Sequence, residues 1–420
     1  MSASEENKKN GALSKIRICD FSGQLAGAGA TRMMAAFGAE VIRIEDRLTL
    51  GGWDIFRGNG PYVDERRGHN LGGMFNNHNV EKLGITLNTK FARGKEILRE
   101  LISISDVVTE NFSAGVLERW GFPYEVMKAI KPDIIYVSNC GFGHKGPYSH
   151  FKSWGPVVQA VSGLTFQSGL PDMPPAGWGY SYMDHTGGYF MSIAILMALY
   201  HRNKTGEGQY VDMSCTDAAL TLNGPVLLDY TVNGRPSRRE GQPNSNRSHY
   251  PPMAPHGIYR SKGDDQWIAI SARYDHDWQA MSKLIGGEAI SGNGRFATLE
   301  GRMGNQDEMD EIIEKWTSVR KPYEAMDALQ KVGVPAAVVQ HPEDRADHDE
   351  NSLEWNTFPE VNHAEIGRVR VEGIPMKFSK TPPVVEKAGN LLGQDNDYVY
   401  KELLQMDEDD LQALHDQGVI

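Results

Sequence analysis

The strongest constraint on the fold is a pair of short β-type segments close to the start of the chain. KIRICDF (15–21) and VIRIED (41–46) are rich in β-branched residues, and the Gly/Ala-rich segment between them predicts a turn followed by a helix. A strand–helix–strand unit of this length predicts two parallel strands joined by a helical crossover. Because the alternation continues to about residue 145, we expect an α/β, Rossmann-like domain built on a parallel sheet.

The length of 420 residues exceeds what one ordinary core accommodates, so a second domain is expected. Residues 231–256 are rich in Gly, Pro, Asn, Ser and Arg and mark a boundary, and residues 257–272 follow with a hairpin pattern. We therefore predict a disordered N-terminus (1–14), the first part of the large domain (15–230), a linker with a small α+β domain (231–332), and a return to the large domain with C-terminal helices (333–420).

Composition excludes several classes of protein. The 43 Lys and Arg against 55 Asp and Glu give a net charge of −12, which argues against nucleic-acid binding. Three scattered cysteines predict neither disulfides nor a zinc site, and no histidine spacing suggests any other metal.

The longest apolar run, Tyr189 to Tyr200, is too short to cross a membrane. Without a signal-peptide pattern, the expected location is the cytoplasm.

Gly27, Gly29 and Glu45 have nearly the spacing of a dinucleotide-binding fingerprint, in which glycines follow the first strand and an acidic residue ends the second. Arg32 occupies the position of the third glycine. A tight strand-to-helix turn without a nicotinamide is the preferred interpretation. A NAD-dependent oxidoreductase is the alternative.

Asp184 precedes Thr186, Gly187, Gly188 and a long apolar segment. On position alone it is most simply a helix N-cap, because Asp side chains accept hydrogen bonds from helix-start N–H groups. The same place suits a catalytic carboxylate, because a helix N-terminus favours negative charge and glycines allow close approach of a ligand. Position alone leaves both interpretations open.

Several segments together resemble one family. Residues 17–46, VVTENFSAGVLERWGF (107–122), KPDIIYVSNCGFGHKGP (131–147) and HRNKTGEGQYVDMSCTDAAL (201–220) resemble, in order, segments of the class III CoA transferases. The resemblance implies transfer of coenzyme A from an acyl-CoA to a carboxylic acid, with Asp184 as a covalent nucleophile. It implies CoA and acyl-CoA as substrates, no permanently bound cofactor, and an interlocked homodimer, with a heteromeric partner as the alternative.

The resemblance also implies a set of CoA-binding residues. These are Gln24, Leu25, Ala26, Arg47, Asn111, Phe112, Arg119 and Lys152. Gly187, Gly188, His256 and Gly257 are candidates for oxyanion stabilisation or for a lid. The segment YPPMAPHG (250–257) replaces the glycine-rich lid of oxalate-using members, so the acid substrate is expected not to be oxalate.

The related α-methylacyl-CoA racemases pair the equivalent aspartate with a histidine about thirty residues earlier. The aligned residue here is Trp154, which cannot take up a proton, and His150 lies four residues away. This difference favours a transferase. A racemase or epimerase acting on 2-substituted acyl-CoA thioesters is the alternative, and nothing in the sequence identifies the donor or acceptor acid.

Overall fold

The computed structural model describes residues 10–170, 172–179, 181–238, 245–249 and 251–420. The described residues divide into two compact units: those up to Leu164, of Gly177–Leu222 and of Asn351–Ile420, and those of Thr165–Ala176 and Asn223–Glu350. Each unit is described by itself below.

The first unit opens with alternating strands and helices, as the sequence pattern predicts. In chain order these are β1 (Arg17–Phe21), α1 (Ala26–Ala36), β2 (Glu40–Glu45), α2 (Gly73–His78), β3 (Leu83–Thr86), α3 (Ala92–Ile104), β4 (Val107–Glu110), α4 (Val116–Trp120), α5 (Tyr124–Ile130) and β5 (Ile135–Cys140). Then follow α6 (Gly155–Val161), α8 (Tyr182–Thr205), β6 (Tyr210–Ser214) and α9 (Cys215–Leu220). Between α6 and α8, α7 (Leu164–Gln167) lies mostly in the second unit.

Six strands form one parallel sheet in the order β3-β2-β1-β4-β5-β6. The predicted α/β, Rossmann-like fold is therefore confirmed. Strand β1 is central, with Ile18 beside Val41 on one side and beside Val107 on the other. The order of the strands reverses between β1 and β4. In sheets of this kind the carboxyl ends of the strands at such a reversal form a crevice that binds ligands.

Helices cover both faces of this sheet because both faces are apolar. On one face, Ile97 and Leu101 of α3 pack with Val108, Tyr136 and the C-terminal Val419. On the other face, helices α1 and α8 pack against β1, β2, β4 and β5. Burial on both faces explains why these strands are nearly continuous apolar runs.

The second unit contains a smaller sheet. Its elements are α10 (Gly224–Asn233), β7 (Ser248–His249), β8 (Pro252–Met253), β9 (His256–Arg260), β10 (Trp267–Ser271), α11 (Asp275–Gly286), α12 (Glu288–Ser291), α13 (Leu299–Gly304), α14 (Gln306–Thr317), α15 (Pro322–Lys331) and β11 (Ala336–Val338). Strands β11, β10 and β9 pair antiparallel in that order, over an apolar core that includes Trp278, Ile313 and Leu329.

The chain then returns to the first unit through α16 (Glu350–Trp355), β12 (Glu360–His363), β13 (Gly367–Arg370) and α17 (Glu408–Asp416). The sequence pattern places this return at residue 333. In the structure β11 instead pairs with β10, because a third strand completes the small sheet, and the return falls at Asn351.

The C-terminal segment covers the open edge of the large sheet at β3. The carboxylate of Asp395 accepts the N–H of Gly84 at 2.7 Å, and Oδ1 of Asn396 accepts that of Thr86 at 2.9 Å. An edge strand whose N–H groups are covered is protected from pairing with another chain.

Two further expectations concern the ends and the surface of the chain. Residues 1–9 of the predicted disordered N-terminus lie outside the described residues, whereas residues 10–14 form turns and the N–H of Leu13 donates to the carbonyl of Phe37. Within the described ranges, no helix is both long enough and apolar enough to span a membrane.

Candidate active site

Asp184 lines a cavity of about 300 Å³ at the carboxyl edge of the large sheet. The walls come from the segments that follow β1, β4 and β5 and from the starts of α6, α8 and α9. The lining residues are Gly23, Gln24, Ala26, Trp53, Asn111, Phe112, Ser113, Asn139, Cys140, Gly141, Lys152, Ser153, Trp154, Gly155, Val158, Asp184 and Cys215. The cavity therefore lies where the strand order reverses, as expected for a doubly wound sheet.

The position of Asp184 corrects the N-cap interpretation. Ser181 is the N-cap of α8, and Asp184 is the third residue of the helix. Burial raises the pKa of Asp184 to about 6, and a hydrogen bond with Ser181 only partly opposes this shift. The raised pKa runs against the expectation that a helix N-terminus favours the ionised carboxylate, because burial disfavours the charged form.

Gly155 explains how α6 reaches the carboxylate. A Cβ atom on this residue would lie 2.7 Å from Oδ2 of Asp184. Any larger side chain would displace the carboxylate, so the backbone of α6 forms one wall of the site. The preceding residue, Trp154, is exposed and lines the same cavity.

The turn after β1 is held in place by side chains from elsewhere in the unit. Gln24 has a positive φ of 52°, an uncommon conformation for a residue with a side chain. Asn111 accepts the N–H of Gly23 at 2.7 Å and donates to its carbonyl at 3.1 Å. Oδ2 of Asp54 accepts the N–H of Gln24 at 3.1 Å. These bonds fix the turn that carries Gln24 and Ala26 into the cavity.

A buried ion pair supports this turn from below. Arg43 donates to Asp54 at 2.7 Å and to the carbonyl of Ser22, and both charged side chains are fully buried. The guanidinium group of Arg43 also lies 5.0 Å from the ring centroid of Trp53. Such a pair is costly to break, because removing one partner leaves the other charge buried and unpaired.

The end of β4 is arranged by Glu110. Its Oε2 accepts the N–H of Phe112 at 2.7 Å, and its Oε1 accepts the hydroxyl of Tyr136 at 3.1 Å. Burial raises the pKa of Glu110 to about 6. Phe112 is held between Trp53 and Trp120, with ring centroids 5.2 and 5.5 Å apart.

Trp53 and Phe112 also line a second cavity of about 530 Å³. This neighbouring cavity carries three cationic side chains, Lys90, Lys95 and Arg119. Arg119 is thus separated from Asp184 by the two shared aromatic residues. A cation-lined cavity beside a carboxylate-bearing one suits a long ligand with a phosphorylated end and a reactive end.

Trp53, Lys90 and Lys95 line these cavities but were not predicted from the sequence. Lys90 follows the carboxyl end of β3, the position where ligand contacts concentrate in a parallel sheet, so its place relative to that strand was the available signal. Trp53 lies in a long connection with no periodic pattern, which gives no comparable signal.

Two of the predicted CoA contacts lie elsewhere. Arg47 donates to the main-chain oxygen of Ile420 and does not line either cavity, whereas its neighbour Asp46 lines the second one. Leu25 is buried at the start of α1 and is also absent from both linings. Gln24, Ala26, Asn111, Phe112 and Lys152 do line the cavity at Asp184.

The position of Gly187 and Gly188 does not support their proposed oxyanion role. They lie in the second turn of α8, where N–H groups donate to carbonyls four residues earlier in the helix. A Cβ on Gly187 would lie 2.6 Å from Sγ of Cys215, and one on Gly188 2.9 Å from the carbonyl of Ala26. Both glycines therefore allow close packing of α8.

The remaining candidates are placed as follows. His256 and Gly257 belong to β9 of the second unit, and their assignment to a lid stays a prediction. Tyr250, the first residue of the predicted lid segment, lies outside the described residues. The part of the chain that the structure describes contains no group of three or more His, Cys, Asp or Glu residues placed to hold a metal ion.

The Gly27–Glu45 pattern does not form a nicotinamide site. The carboxylate of Glu45 is fully buried and accepts a hydrogen bond from Nε of Arg57 at 2.8 Å, and Arg43 lies 3.5 Å away. Paired in this way, it is engaged inside the protein rather than available to a ribose hydroxyl. Arg32, which replaces the third glycine, is buried and donates to the main-chain oxygen of Gly373.

Comparison with known proteins agrees with this geometry. The chain is 29% identical over 408 residues to a succinyl-CoA–D-citramalate CoA-transferase of Chloroflexus aurantiacus, covering 97% of this chain and 98% of that protein. It is 33% identical over 424 residues to a formyl-CoA:oxalate CoA-transferase of Streptomyces coelicolor, covering 97% and 99%. A third relative, 28% identical over 413 residues and covering 97% and 98%, is the beta subunit of a succinyl-CoA–L-malate CoA-transferase of Chloroflexus aurantiacus.

Among solved structures, a CAIB/BAIF family protein from Brucella suis superposes with a TM-score of 0.82 at 27% identity, covering 94% of this chain and all of that one. Residues 13–396 match CoA-transferase family III. With this match across nearly the whole chain, the protein belongs to CoA-transferase family III and is a CoA-transferase.

Proposed function

We propose that the protein transfers coenzyme A from an acyl-CoA donor to a carboxylic acid through covalent intermediates on Asp184. The observation that carries this proposal is the position of the Asp184 carboxylate. It lines a small cavity that shares an aromatic wall with a cavity bearing Lys90, Lys95 and Arg119. Phosphates of CoA suit the cationic cavity, and its thioester then faces the carboxylate.

The reaction proceeds in balanced steps. The ionised carboxylate of Asp184 attacks the thioester carbonyl, the C–S bond breaks, and a mixed anhydride and CoA thiolate result. The thiolate attacks the aspartyl carbonyl and expels the donor carboxylate, which leaves an aspartyl–CoA thioester. An acceptor carboxylate attacks that thioester and releases the thiolate, forming a second anhydride. Attack of the thiolate on its acyl carbonyl gives the new acyl-CoA and regenerates Asp184.

The raised pKa of Asp184 fits this role. A carboxylate that has lost much of its hydration is more basic and is a better nucleophile than an exposed one. The aromatic side chains of Trp53, Phe112 and Trp154 line the cavity and limit the space for water. Exclusion of water matters because an anhydride or an aspartyl thioester would otherwise hydrolyse.

The racemase alternative has no support from the lining of this cavity. Two-base proton exchange needs a second proton carrier opposite Asp184. No histidine is present among the described residues of the lining, and Trp154 occupies the aligned position. The ring of His150 packs against Phe151 at 4.8 Å.

Trapping of the intermediate tests the covalent route. The protein is incubated with succinyl-CoA, treated with hydroxylamine and digested, and mass spectrometry locates any aspartyl hydroxamate. We expect the modification at Asp184 alone. Asp217 is a matched control, because it is also the third residue of a helix but is exposed. Succinyl-CoA consumption without a hydroxamate at Asp184 would contradict the covalent route.

The acids exchanged are a separate question. Because residues 250–257 lack the glycine-rich pattern of oxalate-using members, we propose an acceptor other than oxalate. Incubation of formyl-CoA, acetyl-CoA and succinyl-CoA with a panel of acids that includes oxalate, read by mass, tests this choice. Oxalyl-CoA as the main product would refute it.

We also propose a homodimer. The large apolar side chains of α8 at Tyr189, Ile193, Leu196, Met197 and Tyr200 are between 43% and 67% exposed. A continuous exposed apolar helix face marks an interaction surface. Light scattering of the chain produced alone is expected to give twice its mass. A monomer that becomes active only with a second polypeptide would favour the heteromeric arrangement instead. A cytoplasmic location stays a prediction.

A further inference from the structure

A cluster of ionisable side chains adjoins the walls of the smaller cavity, which contains Asp184, and of the larger, cationic cavity beside it. Its centre is His144, in the connection between β5 and α6. Nδ1 of the ring lies 3.3 Å from Asp212, and Nε2 lies 3.9 Å from Glu118 and 4.0 Å from Glu110. These four residues line neither cavity. The ring is only 12% exposed, so three carboxylates converge on one largely buried imidazole.

Asp212, on β6, fixes the backbone that carries the ring. Its two carboxylate oxygens accept the N–H of His144 at 2.9 and 3.1 Å. A Cβ on the preceding Gly143, whose φ is +73°, would lie 3.5 Å from the same carboxylate, so the connection passes close to β6. The connection continues to Lys152 and Trp154, which line the smaller cavity. The contact with Asp212 therefore holds one end of the segment that forms this wall.

The other ring nitrogen of His144 faces the segment that begins at the end of β4. Glu110 accepts the N–H of Phe112 at 2.7 Å, and Phe112 lines both cavities. Burial raises the pKa of Glu110 to about 6, and His144 is among the groups that oppose this shift. Glu118 lies in α4 beside Arg119, a cation of the larger cavity. Both carboxylates near Nε2 thus belong to the segment that forms the wall of the larger cavity.

The chemistry of the imidazole suits a link between these two segments. Ionised carboxylates only accept hydrogen bonds, and three of them around one point repel one another. In the part of the chain that the structure describes, no lysine or arginine forms an ion pair with Asp212, Glu110 or Glu118. An imidazole can direct N–H groups from two sides of its ring, so it can connect a carboxylate on β6 with those on β4 and α4.

We propose that His144 is a positioning residue for the binding of coenzyme A. By linking Asp212 to the carboxylates at the end of β4 and in α4, its ring fixes the two wall segments that carry Lys152 and Phe112. The inference rests on the proposed placement of CoA in these cavities. It adds a group that acts on the affinity for CoA through other residues and leaves the chemistry at Asp184 unchanged.

Substitution of the ring tests this role. Calorimetry on the full-length protein measures the Kd of CoA, and steady-state kinetics give KM and kcat for the acyl-CoA donor found with the acid panel above. His144→Phe keeps a ring but removes both nitrogens, so Kd and KM should rise roughly tenfold with little change in kcat. His144→Gln can still donate an N–H to Asp212 and should recover most of the affinity. His150→Phe, at an exposed position in the same connection, is the matched control and should change neither constant.

A double-mutant cycle shows whether the ring acts through Asp212. Asp212→Asn should itself weaken CoA binding, and adding His144→Phe should have little further effect, because both changes break the same contact. Asp212→Asn also carries the test if His144→Phe does not fold. Effects that multiply as independent factors would overturn the proposed link.

Unfolding temperatures distinguish positioning from a purely structural role. A residue that only stabilised the fold would lower the unfolding temperature and leave the CoA affinity of the folded protein unchanged, and that result would overturn the proposal. A fall in kcat without a rise in Kd would do the same. If Lys90→Ala weakens CoA binding but His144→Phe does not, only the role of His144 fails. If neither variant weakens it, the placement of CoA in these cavities fails as well.

Discussion

The cavity at Asp184 and its neighbour differ in how they hold charge. The first contains one largely buried carboxylate, whose pKa is raised by desolvation, and one cation, Lys152. The second groups three cations, Lys90, Lys95 and Arg119, with the acidic side chains of Glu45 and Asp46. Under the proposed function, several cations packed against Asp184 would lower its pKa and weaken it as a nucleophile. With Trp53 and Phe112 between the two cavities, the three cations would bind the phosphates of CoA while the carboxylate of Asp184 stays basic.

The shared aromatic wall depends on buried polar groups beneath it. Asp54 links Arg43 to the turn at Gln24, and Glu110 fixes the main chain at Phe112. Because the two cavities hold different groups, the rate of transfer and the affinity for CoA are expected to respond to different substitutions. Three substitutions or changes of condition should separate the two cavities through their effects on transfer, from the largest effect to the smallest, and a fourth measurement concerns stability.

Replacement of the carboxylate should have the largest effect. Asp184→Asn keeps the size of the side chain but removes the nucleophile, so the transfer rate should fall by about a thousandfold or more. Acyl-CoA binding, measured by calorimetry, should change little, because the cationic cavity is intact. Asp217→Asn should retain normal transfer. A substantial rate in Asp184→Asn would exclude Asp184 as the nucleophile.

Acid pH should act on the first cavity through the pKa of Asp184, about 6. Attack requires the ionised carboxylate, so kcat/KM should be level above this pKa and fall about tenfold per pH unit below it. Glu110 has a similarly raised pKa. The variant Glu110→Gln removes that second group and should keep the same acid limb. If the fall of kcat/KM at acid pH disappeared in Glu110→Gln, the titrating group would be Glu110 and not Asp184.

Removal of one cationic side chain from the second cavity should weaken acyl-CoA binding without changing the chemistry at Asp184. Lys90→Ala should raise the KM for acyl-CoA roughly tenfold with little change in kcat, since a charge-assisted contact contributes about 1.5 kcal/mol. Added salt should narrow the difference between the variant and the unmodified protein. Lys128→Ala, at an exposed position on α5, is the control. A fall in kcat instead of a rise in KM would break the separation of the two cavities.

The fourth prediction concerns the free energy of unfolding rather than the rate of transfer. Since the folded pKa of Asp184 is raised from 3.8 to about 6, folding favours the protonated form, and the protein loses stability as pH rises between these values. The Asp184→Asn variant cannot ionise at this position and therefore does not lose this stability. Above pH 6 its free energy of unfolding should exceed that of the unmodified protein by up to about 3 kcal/mol. Below about pH 4 the difference should vanish. Thermal unfolding of both proteins at a series of pH values measures this stability difference. A difference that does not change with pH would show that desolvation does not set the pKa of Asp184.

The opening strand–helix–strand pattern was sufficient to predict the large sheet, because both of its faces are covered by helices and its strands are therefore continuous apolar runs. Placement of Asp184 at the start of a helix was also predictable, although the N-cap is Ser181 and the nucleophilic role came only from the resemblance. A carboxylate in the first turn of a helix is common, and only its burial beside Gly155 distinguishes it from the exposed Asp217. The resemblance placed Asn111 at the site, and the structure shows that it also holds the turn at Gly23.

The sequence by itself determined the fold class and the residues that follow strands β1 and β4, because these depend on local periodicity and chain order. It also indicated the family, through the order of the segments that resemble it. Only the tertiary structure decided which side chains share a cavity. It placed Lys90 and Trp53 at the site, turned Arg47 toward Ile420, and paired Glu45 with Arg57. The physical reason is that pKa values, ion pairs and cavity walls depend on contacts between residues distant in sequence.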